Sequence, residues 1–136
     1  MPDKSFERSI PFVEMPGVGW YPIIQVAFLK PNKHKLTLPL LFDTGAELIC
    51  LHPDWEWAFP SLTDCDFAGI GGTARGKITK GQIELFGEVI DCDIGFGPQG
   101  MQIRTWMAGV IGRECFKPFG FGFWEGAREL YVTLKP

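Results

Sequence analysis

An apolar run, Leu40-Leu41-Phe42, leads directly into Asp43-Thr44-Gly45-Ala46. A strand that ends on a carboxylate holds an acid at a fixed point on the rim of a core, where it can take a proton from water. Gly45 lets the backbone turn tightly behind the acid, and Thr44 adds a hydroxyl that can brace the neighbouring backbone or a second chain. Asp, Thr and Gly are also common turn residues, so the motif alone leaves an ordinary strand-end turn open. Downstream, Ala108-Gly109-Val110-Ile111-Gly112-Arg113-Glu114-Cys115-Phe116 reads as a short apolar strand, a glycine, and an arginine that opens a short helix. Between the two lies Gly69-Ile70-Gly71-Gly72-Thr73-Ala74-Arg75-Gly76, a glycine-rich turn flanked by residues able to pair as strands.

In this order the three pieces resemble the retropepsin family of aspartic proteases, the single-lobe enzymes of retroviruses and their cellular and bacterial relatives. The resemblance covers roughly residues 23 to 134. It implies an all-β, closed barrel-like retropepsin fold with one short C-terminal helix, and it implies an aspartic endopeptidase. That chemistry needs two neighbouring carboxyl groups that share one proton, because like charges so close do not both ionise easily. The ionised acid activates water while the protonated one polarises the scissile carbonyl. The chain holds a single Asp-Thr-Gly, so the second acid must come from a second copy. A homodimer would bring Asp43 of each subunit to the two-fold axis, and the monomer should be inactive.

The same resemblance assigns supporting roles. Thr44 would bond across the dimer axis, with Gly45 shaping the turn. Arg113 would pair with Glu47 through charge-assisted hydrogen bonds. Ala46 and Glu47 would lie beside the cleft and position the backbone of a peptide substrate. The segment 69–76 would be a flap closing over that peptide, with Ile70, Gly71 and Gly72 approaching it closely. The chain departs from the viral pattern at Glu47 and Glu114, and in ending with a hairpin, Phe119 to Leu134. That hairpin or the N-terminal segment is therefore the expected dimer surface, in place of interleaved chain ends. A rival within the same fold is a non-catalytic peptide-binding or assembly module, since fold does not establish function. The intact Asp43-Thr44-Gly45-Ala46 argues against it, because a binding module has no use for a costly paired carboxylate. A β-barrel protein with a coincidental turn is the third reading.

The remaining composition narrows the classes. A chain of 136 residues is one domain, long enough to bury a core without staples. With 46% hydrophobic and 21% charged residues it reads as a soluble globular protein. A net charge of -3 with scattered Lys and Arg makes no case for nucleic acid; the cluster Lys30, Lys33 and Lys35 reads as a solvated turn. No apolar run approaches the ~20 residues of a membrane span, and the first residues lack the apolar stretch of a secretory signal. A cytoplasmic protein is expected. Cys50, Cys65, Cys92 and Cys115 show none of the paired spacings of zinc sites. Cys50 and Cys115 read as small core residues and Cys92 as part of an alternating strand. The two histidines, His34 and His52, support no Cys–His nucleophile, so no metal or cofactor is expected.

These residues must be held by strands. Residues 1–22 read as an N-terminal arm and 23–136 as the domain. Ile23 to Leu29 and Leu36 to Phe42 are strand-like around a turn at residues 30–33. The near-continuous apolarity of the second predicts burial on both faces, and Pro39 predicts an unpaired or bulged edge. Leu48 to Leu51 forms the next strand. Pro53 to Phe59 suits one helical turn with proline first, its tryptophans capping the core or, alternatively, lining a pocket. Ile78 to Leu85 and Glu88 to Ile94 form a hairpin around Phe86-Gly87; Phe119 to Trp124 and Glu129 to Leu134 form another.

Overall fold

The computed structural model describes residues 8–31, 34–69, 72–97 and 107–134. They form an all-β molecule of strands β1 (Arg8–Pro11), β2 (Val13–Met15), β3 (Gly19–Tyr21), β4 (Ile23–Leu29), β5 (Lys35–Phe42), β6 (Ile49–Leu51), β7 (Thr63–Gly69), β8 (Gly72–Leu85), β9 (Glu88–Phe96), β10 (Gly109–Ile111), β11 (Phe119–Trp124) and β12 (Glu129–Leu134). A seven-stranded sheet runs β4-β5-β10-β6-β9-β8-β7, and β4 also pairs with β8. A three-stranded sheet runs β1-β12-β11, and β2 pairs with β3.

Side-chain alternation sets the core. In β4, Ile24, Val26 and Phe28 are buried while Gln25 is exposed, as a period of two requires. In β5, Leu38, Leu40 and Phe42 are buried while Pro39 and Leu41 are only half-buried, so one face dominates instead of the two expected. With Ile49, Leu51, Ile83, Leu85, Ile94, Phe96, Ile111 and Phe116 these residues form one continuous core. Each such fully buried side chain contributes about 1.5–3 kcal/mol of transfer free energy.

Pro39 sits at a point that tolerates it. Its carbonyl accepts from Ala108 N at 2.8 Å, so the missing N–H faces the β10 side. There the register begins only at Gly109↔Leu40, and no ladder bond is lost.

The hairpin turns follow local chemistry. Phe86 and Gly87 connect β8 to β9 with φ of 51° and 83°, the paired positive values of the two-residue turn that matches strand twist. A phenylalanine is strained there, and its ring is held edge-on to Phe116 and Phe119. The Pro53–Ala58 segment is a 3-10 turn with proline at its start, capped by His52 Nδ1 accepting from Asp54 N at 3.1 Å. Only half its tryptophan pair behaves as expected: Trp55 packs on the core, whereas Trp57 is 77% exposed.

Two segments at the ends of the fold complete it. The arm folds as part of the molecule from Arg8 onward: β1 pairs with β12, and Phe12 and Met15 are buried. Phe12 N donates to Arg128 O at 2.8 Å, which continues the tie beyond the strand. The short C-terminal helix is a single 3-10 turn, Arg113–Phe116. Pro118 has no N–H to give Glu114 the i→i+4 bond of an α-turn, so Lys117 N closes the i→i+3 bond instead.

Candidate active site

Asp43 stands where β5 stops. The parallel pairing of β5 with β10 ends at Phe42↔Ile111, and Asp43 N reaches one step further to Ile111 O at 3.1 Å. The backbone at the acid is thereby part of the sheet, and only the side chain and the following turn leave it. Ala46 N closes that turn on Asp43 O at 3.1 Å. Gly45 N donates to Asp43 Oδ1 at 2.9 Å, a local side-chain-to-backbone bond typical of aspartate in turns. One carboxylate oxygen is thus oriented by its own loop. Asp43 is half-buried; Thr44 and Gly45 are exposed beside it.

A second segment pins the far side of the loop. Arg113 N donates to Ala46 O at 3.0 Å and Glu114 N to Glu47 O at 2.9 Å. The approach is so close that a Cβ on Gly112 would lie 2.5 Å from Glu47 C and 2.6 Å from Ala46 O. Glycine is required there by contact, since its backbone is extended. The resemblance implied a side-chain pair of Arg113 with Glu47; the bonds here run from Arg113 N to Ala46 O and from Glu114 N to Glu47 O. Both side chains are exposed, no ion pair joins them among the described residues, and the tie is main chain to main chain. The Arg113 backbone N–H is used in opening the turn, and at its end Lys117 pairs with Glu114 at 2.7 Å.

These bonds also revise the expected substrate-positioning groups. The carbonyls of Ala46 and Glu47 already accept from the turn. Among the described residues neither Thr44 N nor Glu47 N makes a hydrogen bond within the chain, which leaves both as donors of the loop. Gly72 is exposed with φ of 111° at the mouth of the β7–β8 hairpin. Ile70 and Gly71, the tip of that hairpin, lie outside the described residues.

Beneath the acid is an aromatic platform that the sequence reading missed. Phe42 stacks on Phe116 with ring centroids 4.0 Å apart and planes 5° from parallel. Phe121 meets Phe42 edge-on at 4.9 Å and Phe123 lies 5.6 Å away. The signal was present in the alternating Phe119-Gly120-Phe121-Gly122-Phe123, but it marked a strand without revealing its neighbour. A concavity of about 750 Å³ is lined by residues that include Glu47, Lys80, Cys92, Asp93, Glu114 and Cys115; among the described residues that line it, Asp43 does not appear. No protein-family model matches the chain, and no curated protein sequence matches it either.

Proposed function

We propose that the protein is a retropepsin-like aspartic endopeptidase that works as a homodimer, with Asp43 of each chain forming the catalytic dyad. The observation that carries this reading is the loop geometry. A carboxylate at the end of a core strand has its backbone fixed by Ile111 and one oxygen oriented by Gly45 N, and its loop is clamped by Arg113 N and Glu114 N. Such preorganisation suits an acid that must hold water and exchange protons at a fixed point. The pairing of β4 with both β5 and β8 supports a closed, barrel-like arrangement of the retropepsin kind.

Dimerisation explains why Asp43 does not line that concavity: one chain supplies only half of a cleft shared across a two-fold axis. The surface best suited to the second copy is β11. It is the edge of its sheet and exposes Phe121 (37%), Phe123 (37%) and Trp124 (44%). Phe121 and Phe123 also touch Phe42, the residue before the acid, so an interface there would lie beside the two Asp43 loops. A peptide would bind extended, adding main-chain bonds at Glu47 N and under the β7–β8 hairpin. Thr44, exposed next to the acid, is available to bond across the axis.

The test is cleavage of a diverse peptide library read by mass spectrometry, for wild type and Asp43→Asn over a range of concentrations. We expect Asp43→Asn to lower the rate by at least about 10²–10⁴-fold, and wild-type activity to fall more steeply than linearly on dilution. Cleavage that survives the substitution would refute the assignment. A dimer that binds peptides without cutting them would favour the assembly or peptide-binding module.

A further inference from the structure

We infer that Cys92 and Cys115 form an oxidisable dithiol which hydrogen peroxide closes to an intramolecular disulfide, locking β9 to the turn that clamps the Asp43 loop. The two thiols come from distant parts of the chain and meet in the wall of the 750 Å³ groove. β9 packs against the Arg113–Phe116 turn, and the two thiols are neighbours that interact with each other. Cys115 lies in the core at 1% exposure, and Cys92 is half-buried against that core. The residue paired with Cys92 on β8 is Gly81. No side chain covers Cys92 from that neighbour, and Gly81 itself lines the groove.

The roles of the two sulfurs differ. The Cys92 thiol is pushed up by the hydrogen bond it gives to Cys115, by burial, and by Asp93 and Asp91. The Cys115 thiol is lowered by accepting that bond, against the opposing effects of burial and Glu114. Cys115 is therefore the sulfur that reacts as thiolate and Cys92 the one that resolves. The burial of Cys115 excludes bulky disulfides. The Cys115 thiolate attacks one peroxide oxygen; the O–O bond breaks and hydroxide leaves, taking a proton to become water. Cys92 then attacks the resulting sulfenic sulfur. The S–O bond breaks, a second water departs with the Cys92 proton, and the S–S bond forms. Two thiols have lost two electrons and two protons, and one peroxide has become two waters.

The other two cysteines are not equivalent. Cys50 Sγ donates to Gly97 O at 2.9 Å, and Cys65 lies on the outer strand β7. The inference does not depend on the peptidase reading, because its consequences appear in covalent structure.

The test treats the folded wild-type protein with hydrogen peroxide, alkylates it in denaturant, and maps linked peptides by mass spectrometry. The expected product joins residues 92 and 115, lacks two hydrogens, leaves Cys50 and Cys65 alkylated, and reverts with dithiothreitol. The same link should form in a Cys50→Ser/Cys65→Ser variant. In Cys92→Ser, dimedone added together with denaturant after the peroxide treatment should capture a sulfenic acid at Cys115. Oxidised glutathione should give the link far more slowly than peroxide. Four alkylated cysteines after peroxide that fully oxidises free cysteine would overturn the inference. So would a link through Cys50 or Cys65, or one between molecules.

Discussion

Gly112 is the residue on which the candidate site depends most sharply. Any side chain there meets the backbone of Ala46 and Glu47 at 2.5–2.6 Å, which no flexible group can relieve. Gly112→Ala should cost about 1–3 kcal/mol, the usual range for overpacking, and lower peptide cleavage by more than the loss of folded protein explains. Urea denaturation together with activity per folded molecule separates the two effects. Cys50 gives a prediction in pH. Burial, and secondarily Cys65, raise its thiol pKa, so it keeps its proton after an unfolded cysteine has begun to ionise near pH ~8.5. The folded state then binds more protons than the unfolded one, and stability falls as pH rises. Urea midpoints at pH 7.5 and 10 should show the decline, and Cys50→Ala should reduce it. Asp43 and its turn were legible because the motif is contiguous and its chemistry local. The resemblance implied a side-chain pair of Arg113 with Glu47, while this junction uses amide and carbonyl groups that every sequence possesses and no motif marks.

At the scale of elements, the hairpins were legible and the long-range pairings were not. β8–β9 and β11–β12 carry their signal within a few residues, in alternation and a turn. β1 offers no alternation of its own; it is a strand because β12 presents a ladder to it. The tie of Phe42 to Phe116, Phe121 and Phe123 likewise joins residues that no local pattern connects. The edge strand β11 yields the prediction belonging to this scale. Trp124 touches Tyr131 but is 44% exposed, and exposed tryptophans at an interface often carry much of the binding energy. Trp124→Glu should raise the dimer dissociation constant at least about tenfold, equivalent to ~1.4 kcal/mol, with the monomer fold retained. Sedimentation over a concentration series, with circular dichroism as the folding check, measures both. An unchanged dimer would move the interface elsewhere.

Across the whole molecule, the order of strands in space bears on how it is made. β10 comes late in the chain, yet it lies between β5 and β6, parallel to one and antiparallel to the other. A Cβ on Gly109 would lie 2.2 Å from Cys50 O, so this insertion leaves no room for a looser intermediate fit. β5 and β6 therefore cannot close on each other first; they must wait, edges unpaired, for a segment from the far end. Pairings of such sequence separation are slow to form, and unpaired edges invite aggregation meanwhile. On a ribosome the Asp43 loop is synthesised well before Ile111, Arg113 and Glu114, which fix it. The nascent chain thus has no ordered carboxylate to present until those later residues have emerged and docked.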